Sequence, residues 1–172
     1  ALPFTMKPLT MKEESEIQFV EGLKNAHAAG LLSEWTGGKE LYLLRNAANK
    51  AKGLGFALAG NFYPDFLLWL VDKENGRQWL TFVDPKGIRN MTWEHPKFSL
   101  FESVKTLEKE LKLGLALNSF ILSITPYSGL LNDGAAALYD KTEEEFTDKH
   151  ILFMDKANYL QQMFTMILAE PV

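Results

Sequence analysis

Tyr63-Pro64-Asp65-Phe66, followed after a gap by Phe82-Val83-Asp84-Pro85-Lys86-Gly87, is the part of this chain that decides its reading. Each segment is an apolar, strand-like run with an aspartate at one end. The second adds a lysine two places beyond its aspartate. Paired carboxylates offer hard oxygen ligands to a divalent cation. A lysine beside them can position a water for attack. That inventory suits metal-assisted hydrolysis of a phosphodiester.

Working outward, Phe62 to Val71 and Trp79 to Val83 read as two strands. Asp72-Lys73-Glu74-Asn75-Gly76 joins them, and its closing Asn-Gly is a strong hairpin signal. The distal ends of a hairpin lie side by side, so Asp65 and Asp84 are expected at the same end of the ladder. Carboxylates that close repel unless a cation or a proton intervenes. Taken singly, each segment also has a plainer reading. Asp65 after a proline suits a turn. Asp84-Pro85-Lys86-Gly87 has the proline and glycine placement of a type I turn.

The remaining elements follow from periodicity. Residues of roughly 11 to 28 read as a helix, with Ile17, Phe19, Val20, Leu23, Ala26 and His27 on one face at about 100° per residue. Gly30 is its stop. Glu40 to Arg45 reads as a short strand, and Asn46 to Gly55 as an irregular connection. A second helix runs from Pro96 to Leu113, with Phe98, Phe101, Val104, Leu107 and Leu111 on its apolar face. Phe120 to Ile124 is a buried strand by its β-branched and aromatic content, ended by Pro126. Ser128 to Lys149 reads as an exposed insertion, Ile151 to Met154 as a strand, and Ala157 to Ala169 as a last helix. The order is helix, strand, hairpin, helix, strand, strand, helix. It predicts an α/β fold with a mixed sheet flanked by helices on both faces.

Glu16 falls near the middle of the first helix's apolar face. A buried carboxylate without a partner is costly. Its partner is either a core arginine such as Arg45 or the metal cluster. His95, just before Pro96, suits a helix cap or the surface better than catalysis. Trp35, Trp69, Trp79 and Trp93 suit the core or an interface. Glu143 to Glu145 suits a solvated face.

Bulk properties bound the function. The chain has 172 residues, of which 47% are hydrophobic, enough for one domain with a core. No apolar run reaches the roughly 18 residues of a membrane span, and Ala1 to Lys12 lacks a signal-peptide pattern. There are no cysteines, which fits a cytoplasmic protein and excludes cysteine metal sites. Three widely spaced histidines, His27, His95 and His150, argue against a histidine zinc site. The net charge of −4 is unlike that of a free-standing nucleic-acid binder. No Gly-x-x-x-x-Gly-Lys-Ser/Thr loop occurs, so no ATP site is expected here.

The quoted blocks resemble the PD-(D/E)XK nuclease superfamily. Its motif stands here as Pro64-Asp65 and Asp84-Pro85-Lys86, and Glu16 fits the glutamate that a preceding helix often adds. Leu43-Leu44-Arg45-Asn46, Phe62 to Trp69 and Phe82 to Gly87, in that order, are similar to the C-terminal nuclease region of type III restriction enzyme subunits and related DEAD/DEAH-box helicases. The likeness covers about residues 13 to 112, with element order alone beyond. It implies a restriction-endonuclease-like domain spanning 1–172 and a Mg²⁺-dependent DNA endonuclease activity, with Mn²⁺ able to substitute. It implies Asp65, Asp84 and the Pro85 carbonyl as metal ligands, Lys86 at the attacking water, and Glu16 beside them. It further implies DNA and a helicase/ATPase region of a larger parent chain as partners, with a methyltransferase subunit in a bacterial defence system. A non-catalytic DNA-docking or partner-binding domain that keeps the fold is the rival expectation.

Overall fold

The structure, a computed structural model, describes residues 11, 13–46, 63–112, 114–130 and 138–172. Its centre is a five-stranded sheet in sequence order, β1 (Glu40–Arg45), β2 (Phe66–Val71), β3 (Gln78–Lys86), β4 (Ala116–Ser123) and β5 (Ile151–Phe153). The first three strands are antiparallel, and β3 to β4 and β4 to β5 are parallel. The parallel step from β3 needs a crossover, which α3 (Leu100–Leu111) supplies.

Strand periodicity puts alternate residues on opposite faces. On one face Phe66, Leu68, Leu70, Val83, Phe120 and Leu122 pack with α1 (Glu14–Ala28), α2 (Leu31–Trp35) and α6 (Tyr159–Ala169). On the other, Phe82 and Leu117 meet Leu100 and Val104 of α3. Farther along the same face, Ile121, Ile151 and Phe153 meet Phe98 and Phe146. The mixed sheet with helices on both faces is therefore present.

Several element expectations change. Within α1 the buried positions are Ser15, Glu16, Phe19, Val20, Leu23 and Ala26, while His27 is exposed and Ile17 only half-buried. The apolar stripe is thus centred slightly away from the phase that sequence suggests. Gly30 does end α1, with a left-handed φ of 77°, and the chain then turns straight into α2. β2 begins at Phe66 rather than Phe62; Phe62 itself, like most of the Asn46 to Gly55 connection, lies outside the described residues. β4 begins at Ala116, four residues early, because Asn118 and Ser119 sit buried in it despite their polarity. Leu111 is the last residue of α3.

Ser128 to Lys149 is not an exposed insertion where it is described. Leu130, at the end of α4 (Tyr127–Leu130), Leu138 and Phe146, in α5 (Glu143–Asp148), are all fully buried. α5 is started by a capping box in which the Thr142 side chain takes the Glu145 N–H and Glu145 returns to the Thr142 N–H. That frees Phe146 to reach the sheet while Glu143 to Glu145 stay toward solvent.

Candidate active site at the end of the central hairpin

The ladder between β2 and β3 ends with Phe66 opposite Val83. One step farther, Asp65 stands opposite Asp84. Phe66 and Val83 share the α1 face, so their neighbours Asp65 and Asp84 both point to the α3 face. The hairpin joint sets this register. Gly76 takes a φ of 75°, and Asp72 accepts the Gly76 N–H while its own N–H bonds Arg77.

β3 continues to Lys86, through a segment that also reads as a turn. It is a strand because β4 supports it: Asp84, Pro85 and Lys86 pair with Ile121, Leu122 and Ser123. Proline in a central strand normally removes a ladder bond. Here β2 has already ended, so Pro85 lies where β3 has lost that neighbour.

The Asp65 carboxyl lies beside that of Asp84. Burial pushes the Asp65 carboxyl up to about 8, and the hydrogen bond and charge of Asp84, together with the charge of Glu16, push the same way. The shift favours the protonated form of Asp65 beside Asp84. Asp84 is buried, and its Oδ2 lies 3.0 Å from Lys97 Nζ and 3.8 Å from Lys86 Nζ.

Lys97 is the residue that sequence reading misses. It sits in a single 3₁₀ turn, Pro96–Ser99, that leads into α3. His95 caps the turn, its Nδ1 accepting the Lys97 N–H at 3.1 Å. Thus His95 does cap, as expected, and in doing so fixes the lysine that reaches the carboxylates. The lysines differ in character. Burial, aided by the neighbouring Lys97 charge, lowers the Lys86 ammonium below its ordinary value. Burial opposes the charge on Lys97 too, but Asp84 and the hydrogen bonds to Lys86 and Asp84 outweigh it, so Lys97 is raised. His95 is lowered by burial and by both lysines.

Glu16 goes to the arginine. Arg45 Nη2 donates to both its carboxylate oxygens, at 3.1 and 2.8 Å. Arg45 lies opposite Phe66 and so faces α1, whereas Asp65 faces α3. Glu16 acts on Asp65 through its charge. The Pro85 carbonyl accepts from Ser15 Oγ at 2.9 Å. A carbonyl oxygen keeps a second lone pair, so that bond does not exhaust it. Among the described residues no group of three or more acidic or histidine side chains converges as a metal cage. What converges is a pair of carboxyl groups, whose hard oxygens suit Mg²⁺ chemistry with few protein ligands.

No family model, curated protein or solved structure matches the chain. Among the described residues no helix is long and apolar enough to cross a membrane.

Proposed function

We propose that this chain is a Mg²⁺-dependent DNA endonuclease domain of the PD-(D/E)XK kind. The observation that carries the reading is the meeting of Asp65, Asp84 and Lys86 on one face at the end of one hairpin. Asp65, one step before β2, and Asp84 and Lys86 of β3 form the set that hydrolysis of a phosphodiester would use. A fold under no chemical demand has little reason to set a half-buried carboxyl group against a buried one.

Asp65 and Asp84 would hold the ion, and the Pro85 carbonyl adds a third oxygen beside its bond to Ser15. A bound divalent cation would polarise the scissile phosphate and offset charge as it builds. The chain's own residues supply the rest. Asp84 holds both lysines at the site. Lys86, whose ammonium is lowered by burial, is the group suited to take a proton from the attacking water. Glu16 and Arg45 fasten α1 to the sheet behind the carboxylates, and Glu16 acts as support for the site and not as a ligand. Gly87 carries no left-handed φ, and a Cβ there would meet Thr125 Oγ1 only at an ordinary 3.5 Å. The fold does not require a glycine at that position, which leaves close passage of the substrate backbone as its use.

The acidic net charge and the missing phosphate loop support a parent in which a helicase motor delivers DNA, as in type III restriction enzymes. The order of elements, helix, strand, hairpin, helix and parallel strand, supports the same restriction-endonuclease-like assignment. In such a parent, Asp84→Ala or Lys86→Ala should abolish DNA cleavage and leave ATP hydrolysis intact. The fold of each variant is checked by circular dichroism. Cleavage at near wild-type rate by a folded variant overturns the reading. If folded wild-type protein binds DNA without cutting it, the docking-domain alternative replaces it.

A further inference from the structure

The site holds a lysine that the hydrolytic set does not use. Lys86 Nζ and Lys97 Nζ both approach Oδ2 of Asp84, at 3.8 and 3.0 Å. The Lys97 side chain is 26% exposed, so it can be reached from outside. It stands on the last turn before α3, on the same sheet face as Asp65 and Asp84.

We propose that Lys97 is the phosphate-gripping residue of this site: it sits on Asp84 while no divalent cation is bound, and moves to a substrate phosphate when the cation takes Asp84. This rests on the nuclease reading above and assigns a residue that the sequence motif does not contain. It separates the work of the lysines. Lys86 handles the proton at the attacking water, and Lys97 supplies fixed positive charge to a phosphate oxygen. It also makes cation and DNA cooperative. Each arriving partner removes what the other must displace, because the cation frees Lys97 and the phosphate gives Lys97 a new anion.

The inference gives Lys97→Met effects of opposite sign in two binding measurements on the 172-residue chain. Mn²⁺ affinity, read by calorimetry, should rise on the order of tenfold, since a charge-assisted competitor for Asp84 is gone. Binding of a labelled DNA oligonucleotide in Ca²⁺, read by fluorescence anisotropy, should fall by a similar factor. Lys97→Arg should behave much as wild type in the DNA arm. A residue that merely braces the 3₁₀ turn would not tighten Mn²⁺ when removed. If Mn²⁺ affinity is unchanged or lower, or if DNA binding is unchanged, the inference fails. Asp84→Ala serves as the control. If it abolishes Mn²⁺ binding while Lys97→Met changes nothing, only the role of Lys97 is lost. If wild type and Asp84→Ala bind Mn²⁺ alike, the nuclease reading itself fails and this inference with it.

Discussion

Asp65 keeps its proton in the folded chain up to a pH of about 8, whereas its ordinary value is 3.8. Between those limits the folded state binds more protons than the unfolded state, so this residue lowers stability as pH rises. Asp65→Asn removes the titration and keeps a hydrogen-bond donor toward Asp84. The variant should match wild type near pH 4 and exceed it at pH 8 by about 1 kcal/mol, a figure held well below full linkage because the carboxyl is partly solvated. Urea denaturation of both proteins at the two pH values checks this, and parallel pH profiles would contradict it. Among the residues of the site, Asp65, Asp84, Pro85 and Lys86 were legible because they sit in one local hairpin whose register the Asn75-Gly76 joint sets. Glu16 was legible as a buried carboxylate, though helix phase alone leaves its partner open; strand parity on β1 decides for Arg45. Lys97 was not legible. Its contact with Asp84 spans 13 residues of chain with no shared periodicity, and only the docking of the 3₁₀ turn creates it.

At the scale of elements, His150 joins pieces that the chain order separates. It lies just before β5 with a φ of 58° and is 6% exposed. Its ring stacks between Phe101 of α3 and Phe120 of β4, with centroids 3.5 and 4.6 Å away. Burial drives its imidazole from 6.5 down to about 4, against the opposing bond to the Ser119 carbonyl and helped by Lys105. The folded chain thus holds it neutral where the unfolded chain protonates it. Its contribution to stability is complete above pH 6.5 and is lost as pH falls toward 4, by about 3 kcal/mol at most. His150→Asn tolerates the left-handed backbone and does not titrate. Its thermal stability should be lower than that of wild type at pH 7 but flatter between pH 6.5 and 4; an equally steep decline would contradict this account. The same neighbourhood explains the largest error of the sequence reading. Thr142-Glu143-Glu144-Glu145 carries a legible capping box, but Leu130, Leu138 and Phe146 follow neither a helical nor a strand period. Their burial is decided by tertiary packing with Phe98, Ile121 and Ile151, so the segment reads as exposed. β4 is shortened in the reading for a related reason. A strand covered on both faces need not alternate, and Asn118 with Ser119 masks its start.

At the scale of the whole molecule, a chain of net charge −4 gathers Lys86, Lys97 and His95 around one carboxylate pair. Local charge at the site then opposes the global charge, which limits DNA binding to places where something else holds the DNA. Binding by the chain alone should be weak and should fall further as salt rises. If Asp65 and Asp84 together form a divalent cation site, Mn²⁺ titration by calorimetry in two buffers of different ionisation enthalpy will show it. One ion should bind per wild-type chain at pH 7, with release of nearly one proton because the Asp65 carboxyl must ionise to become a ligand. Binding should disappear in Asp84→Ala and weaken in Asp65→Asn. Undiminished Mn²⁺ binding by folded Asp84→Ala, or wild-type binding with no proton released, would contradict the claim.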